Sequence, residues 1–145
     1  MPLEGEYEPS TWKFAADHVE RYEGSGGTEA TTIRGMPVVV LTTRGRRTGK
    51  LRKSPLMRVE HDGRYAVVGS IGGAPKNPVW VYNLRTNPEV TLQDGPEVHD
   101  MRAREVTGAE KAEWWKRATD AYPPYDEYQA KTERVIPLFV LEPRS

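Results

Sequence analysis

The sequence predicts an α+β fold, a single domain built on a small, mostly antiparallel β-barrel of six strands with inserted and flanking helices. Three observations predict it. Short valine- and aromatic-bearing runs recur between turn signals, as strands do. The 13 glycines and 12 prolines among 145 residues point to many short elements joined by tight turns. Closing the sheet on itself is the arrangement that hides its edges, so a barrel is favoured over an open sheet.

The elements follow in chain order. Residues 1–9, with Glu4, Glu6 and Glu8, form an acidic and flexible N-terminus, and residues 10–145 form the barrel domain. Ser10 can cap a helix whose apolar positions Trp12, Ala15, Ala16, Val19 and Tyr22 follow the i, i+3, i+4, i+7 pattern. Gly24-Ser25-Gly26-Gly27 ends it. Pro37 to Leu41 is a continuous apolar run and reads as a buried strand. A basic turn follows, and Leu51 to Glu60 returns as a second strand that Pro55 confines to an edge or a bulge. Asp62-Gly63 is a hairpin signal, and Arg64 to Ser70 is the third strand. After the loop Gly72-Gly73-Ala74-Pro75-Lys76, Asn77-Pro78 supplies a cap and first turn for a helix with Trp80 and Leu84 on one side. Glu89–Gln93 and Glu97–Val106 make a hairpin turning at Asp94-Gly95. Thr107 to Glu110 has the form of a capping box, opening a helix with Ala112, Trp115 and Ala118 inward. Tyr122-Pro123-Pro124-Tyr125 interrupts it, a short helix runs through Tyr128, and Ile136 to Leu141 is the final strand.

Composition excludes several functions. Cysteine is absent, which removes disulfides, thiolate catalysis and thiolate metal sites. No apolar run approaches the ~18 residues of a spanning helix, and the acidic N-terminus lacks a signal core, so a cytoplasmic location is expected. The N-terminal helix, with Lys13 and Arg21 against Asp17, Glu20 and Glu23, has no membrane-attaching pattern. The three histidines, His18, His61 and His99, have no ligand spacing, His61 and His99 read as surface residues, and no metal site is expected.

The net charge of zero hides an imbalance. Arg44, Arg46, Arg47, Lys50, Arg52, Lys53 and Arg58 place seven of 21 positive charges in 15 residues without an acid. The rest of the chain holds 14 basic and 21 acidic groups, a net of −7. Such a segment draws an anion to one place and repels it elsewhere. The turn Arg46-Arg47-Thr48-Gly49-Lys50 offers guanidinium forks, a hydroxyl, backbone donors and an ammonium, the donor mixture a phosphate or carboxylate needs. Ser70 to Gly73 adds small residues that admit a planar group close to the backbone, and Asn77-Pro78 a helix N-terminus behind it. The spacing matches neither a Walker loop nor a dinucleotide fingerprint. No aromatic residue lies between Arg44 and Arg58 to stack on bases, which argues against nucleic-acid binding. Tyr122, Tyr125 and Tyr128 recur every three residues. They either pack a helix on the barrel or face one cavity, where a tyrosine, protonated at neutral pH, donates to a developing anion.

Three segments in register resemble the deazaflavin-dependent nitroreductase family: Leu41 to Gly49, Ser70 to Leu84, and Tyr122 to Tyr128. The resemblance runs from about Trp12 to Pro143. It implies a split β-barrel related to flavin-binding oxidoreductases, with coenzyme F420, a polyanionic deazaflavin, as cofactor. It implies that Arg46, Arg47, Thr48, Gly49 and Lys50 hold the cofactor's phosphate end, and charge extends that grip to Arg52 and, along the glutamates, to Lys53. Pro55 and Met57 match positions beside the ring, Val68 is grouped with them, and Ser70, Ile71, Gly72 and Gly73 match a loop touching it. Asn77, Pro78 and Trp80 match the helix start that completes the pocket. Tyr122, Tyr125 and Tyr128 match tyrosines near the substrate, and Ser70 joins them as a catalytic candidate: Ser70 or Tyr125 is expected to hydrogen-bond the acceptor's polar oxygen, and Tyr122 to supply or relay a proton. Some members carry lysine where this chain has Ile71, so one positive contact to the cofactor is missing.

The expected activity is hydride transfer from reduced F420 to a conjugated small-molecule electron acceptor such as a quinone, nitroaromatic or unsaturated lactone. A carrier that binds deazaflavin without turnover and an FMN-using relative are the rival readings. Related barrels often pair, which leaves a homodimer open, and no stable membrane anchor is expected.

Overall fold

The computed structural model describes residues 2–144. Helix α1 (Lys13–Gly24) leads into β1 (Thr32–Ile33), β2 (Met36–Arg44), β3 (Leu51–Met57), β4 (Glu60–His61) and β5 (Arg64–Val68). A 3-10 turn (Ile71–Gly73) and α2 (Val79–Thr86) precede β6 (Glu89–Asp94) and β7 (Glu97–Glu105). Helices α3 (Gly108–Ala121) and α4 (Pro124–Lys131) and strand β8 (Leu138–Pro143) complete the chain.

All strands join one curled antiparallel sheet in the order β1-β2-β6-β7-β8-β5-β4, with β3 paired to the other side of β2. The expected six strands become eight because two-residue strands, β1 and β4, extend the hairpins. Pro55 lies opposite Val40 in β3, which pairs with no other strand. That is the edge setting in which proline's missing N–H costs no ladder bond. Asp62 and Gly63 turn β4 into β5 with φ of 53° and 78°, the paired positive values of a type I′ hairpin.

Strand alternation gives β2 two buried faces. Val39 and Leu41 enter the barrel interior with Val67, Leu92, Phe139 and Leu141, beneath Trp80, Val81 and Leu84 of α2. Val38 and Val40 point the other way, against Val19 and Tyr22 of α1. A third cluster packs Ala66, Val68, Leu138 and Val140 under Trp114, Ala118 and the tyrosines of α3 and α4. Burial on both faces is how a chain of modest apolar content supports a core.

Several local expectations are corrected. Helix α1 begins at Lys13, and the Ser10 hydroxyl accepts from Trp12 N instead of capping the helix. Trp12 and Phe14 are exposed, while His18 joins Ala15, Val19 and Tyr22 on the buried face. Pro78, not Asn77, occupies the N-cap of α2, because the Asn77 carboxamide oxygen accepts from Arg134. The Thr107–Glu110 capping box does not form, since Glu110 is drawn to the Arg104 guanidinium at 2.6 and 2.8 Å. In α3, Trp114 rather than Trp115 is the inward tryptophan, and Ala112 is exposed.

The acidic N-terminus is pinned, not free. Glu8 N donates to Leu51 O and Leu51 N to Glu6 O, a parallel bridge between Tyr7 and Leu51. Leu3 N donates to Thr91 Oγ1. This strap pairs the backbone of Leu51, the first residue of the β3 edge, which would otherwise be left open.

Candidate active site

A cleft of about 1240 Å³ opens between α1, β3, the start of α2 and the tyrosine-bearing α3–α4 junction. Pro55, Leu56 and Met57 of β3, Val68 at the end of β5, and Trp80 of α2 give it apolar walls. Arg52 and Lys53 line one end, and Ser70, Ile71 and Pro78 line the loop side. Trp12, Phe14, Ile71 and Val79 are large apolar groups left half to two-thirds exposed around it. Among the sequence candidates, Gly73 and Asn77 do not line the cleft, and Arg46 to Lys50 lie outside it.

The tyrosines converge although they do not share a helix. Tyr122 sits at the C-cap of α3, while Tyr125 and Tyr128 lie on α4, which Pro124 starts. Their ring centroids stand 5.0, 6.0 and 6.3 Å apart. The Tyr122 and Tyr128 hydroxyls share a hydrogen bond of 2.9 Å. That bond, with burial and the nearby Tyr122 charge, holds the Tyr128 phenol above its usual pKa. Tyr125 is 5% exposed, and its hydroxyl has no protein partner among the described residues. Burial first, then its two tyrosine neighbours, pushes its pKa up, so it stays a neutral donor. The three tyrosines both pack the third cluster and line the cleft.

The basic turn closes the β2–β3 hairpin. Gly49 takes a φ of 74°, and the Arg44 guanidinium donates to Gly49 O. Asn83, buried in α2, accepts from Arg46 N and donates to Thr43 Oγ1, so one carboxamide staples the turn to the helix. The Arg46 guanidinium lies 4.9 Å over the Tyr82 ring.

Most of the cationic segment is already balanced. Lys50 faces Glu6 at 3.8 Å, Arg52 faces Glu8 at 3.1 Å, Lys53 holds Glu23 at 2.7 Å, and Arg58 holds Asp94 at 2.9 Å. Arg46 and Arg47 have no carboxylate partner among the described residues and are exposed. Arg44, also without a carboxylate partner among the described residues, spends its guanidinium on the Gly49 and Glu4 carbonyls. The site therefore offers an apolar, ring-sized cleft and, beyond one end, the two exposed guanidinium groups of Arg46 and Arg47. That donor set fits a deazaflavin with an anionic tail.

Sequence reasoning missed His18, Arg34, Asn83 and Arg134. His18 lines the cleft and is buried, and its Nε2 has no partner among the described residues. Arg34 lines the cleft beside Tyr128. Both come from stretches without a motif, whereas Asn83 lies inside the recognised Ser70–Leu84 segment.

The curled barrel and its cleft define the class, a split-barrel oxidoreductase. Residues 14–143 match the model of the F420H(2)-dependent quinone reductase family, and the chain belongs to that family, whose cofactor is coenzyme F420. An F420H(2)-dependent quinone reductase of Mycobacterium tuberculosis is 32% identical over 131 residues, covering 88% of both chains. A solved F420-H2 dependent reductase, FDR-A, is 54% identical with a TM-score of 0.70, covering 73% of this chain and 94% of that one. A structure described as a domain-swapped dimer is 47% identical with a TM-score of 0.73, covering 92% and 100%. The chain is accordingly an F420-dependent oxidoreductase. No described helix is long and apolar enough to cross a membrane.

Proposed function

We propose that this chain reduces a quinone-type acceptor in the cleft, with nitroaromatics and unsaturated lactones as further conjugated acceptors, and that Tyr125 delivers the proton. Reduced F420 supplies the hydride when bound. Val68, Trp80, Pro55 and Met57 form the walls that exclude water from the ring. Arg46, Arg47, Thr48, Gly49 and Lys50 bind the phosphate end, and Arg52 exchanges Glu8 for the tail. Ser70 and Tyr125 hold the acceptor's polar oxygen over the ring, and Tyr122 and Tyr128 hold Tyr125 by their packing.

The observation that carries this reading is the unpartnered Tyr125 hydroxyl in the cleft beside two hydroxyls that satisfy each other. A hydride delivered to a quinone would leave an aryloxide oxygen, and a neutral phenol in contact with it would supply the proton that completes the quinol, the tyrosinate then regaining its proton from water in the open cleft. The relative solved as a domain-swapped dimer supports a homodimer for this chain too. Parallel titrations with F420 and FMN test the cofactor assignment. The reading expects saturable F420 binding that weakens with salt, and FMN binding without F420 binding overturns it.

A further inference from the structure

We propose that Arg134 is the positioning residue of the active site, latching the Ser70–Asn77 loop to the tyrosine-bearing α4. The inference rests on the F420-dependent reading above. Arg134 lies after α4, far in sequence from the loop it binds. Its Nε donates to Ala74 O at 2.7 Å, Nη1 to Gly69 O at 3.0 Å and to Asn77 Oδ1 at 2.7 Å, and Nη2 to Ser70 O at 2.7 Å. All three guanidinium nitrogens are used on a single loop. No carboxylate takes part in these four bonds, so they serve geometry rather than charge pairing.

Arg134 is itself held from α4. Gln129 Nε2 donates to Arg134 O at 2.8 Å, and Gln129 Oε1 accepts from Ile136 N at 3.0 Å. One side chain of α4 thereby holds the backbone on both sides of Val135, directly after the arginine. The loop also meets α4 directly, because a Cβ on Gly73 would lie 2.7 Å from Tyr128 O.

The loop needs such a latch. Ile71 has a φ of 41°, a left-handed conformation that a β-branched residue adopts only where its surroundings over-determine it. Carbonyls on either side of that residue, at Ser70 and Ala74, are the ones Arg134 binds. The arginine thus fixes the strained segment that carries Ser70 and Ile71 against the cleft, at a set distance from Tyr125. A lysine has one nitrogen and cannot span three carbonyls and a carboxamide.

The test compares Arg134→Lys and Arg134→Ala with the wild-type chain. Hydrogen exchange without cofactor reads the latch itself, and both variants should speed exchange of the Ser70–Asn77 amides while the β2, β6 and β7 amides stay protected. With reduced F420 and menadione, kcat should fall about 100-fold in Arg134→Lys, and KM for the quinone should change far less. Millimolar ethylguanidinium should restore part of the Arg134→Ala rate. Unchanged loop exchange in a folded Arg134→Lys overturns the latch. Faster exchange with an unchanged kcat overturns its role in turnover. Normal wild-type exchange without any F420 binding refutes the functional reading and leaves the latch to be judged by exchange alone.

Discussion

Tyr125→Phe is the sharpest perturbation of the proposed chemistry because it removes one oxygen and little else. The ring would keep its contacts with Tyr122, Tyr128 and Trp115 at 5.0, 6.3 and 6.2 Å. The lost hydroxyl has no protein partner among the described residues, so no hydrogen bond is broken. The stability change should stay within about 0.5 kcal/mol. Turnover should behave differently, since a positioned general acid contributes roughly 10²–10⁴-fold. The low end of that range is a loss of about 100-fold in kcat, or ~2.7 kcal/mol of transition-state stabilisation. The assay follows anaerobic oxidation of reduced F420 by menadione, with cofactor affinity and melting temperature measured beside it. The pH profile carries the same signature. Tyr125 acts as its neutral form, and its pKa is raised from 10.0, so the wild-type rate should hold through pH 9 and fall only above the ordinary tyrosine value. In the same alkaline range the unfolded chain ionises first, so stability also declines as pH rises past 10.0. A Tyr125→Phe rate within threefold of wild type, with unchanged cofactor affinity, refutes the assignment.

Asn83→Ala removes the acceptor of Arg46 N and the donor to Thr43 Oγ1. It should cost about 2 kcal/mol in chemical denaturation and weaken F420 binding by freeing the basic turn. Gly73→Ala places a Cβ 2.7 Å from Tyr128 O at a φ of 82°, so it should destabilise the chain by more than about 1 kcal/mol and lower kcat by displacing α4. The double variant Glu6→Gln/Glu8→Gln releases Lys50 and Arg52 from their internal partners. It should bind F420 about threefold more tightly at low ionic strength, and isothermal titration at two salt concentrations should show the gain vanish at high salt.

Much of the architecture was legible because its signals are local. The valine run of β2, the edge placement of Pro55 and the Asp62-Gly63 hairpin each depend on residues within a few positions of one another. The cleft was legible through the resemblance, which brought Val68, Ser70, Trp80 and the tyrosines together from distant segments. What stayed hidden depends on long-range pairing. The strap of residues 3–8 is tied to the start of β3 and to β6 through backbone bonds and ion pairs, neither of which leaves a periodic mark in the sequence. It also changes the meaning of the cationic segment. An excess of seven positive charges reads as a broad anion trap, but carboxylates of the same chain pair four of them, Arg44 is spent on backbone carbonyls, and Arg46 and Arg47 are left to face an incoming tail. Arg134 was invisible for the same reason, since its four acceptors lie 57 to 65 positions away. The choice of Trp115 over Trp114 failed more locally. Adjacent helical residues differ by about 100°, and the helix axis is set by Ala118 and Trp114 packing on β5 and β8, not by the spacing from Ala112.

The central claim is that the cleft brings reduced F420 and a quinone together with a proton donor. Anaerobic single-turnover mixing of the protein-bound reduced cofactor with one equivalent of menadione tests it most directly. The account expects oxidised F420 and quinol to form in equal amounts, at a rate far above that of free cofactor with the same quinone. Bound cofactor that stays reduced in the presence of quinone would contradict it and leave a protein that only carries the coenzyme.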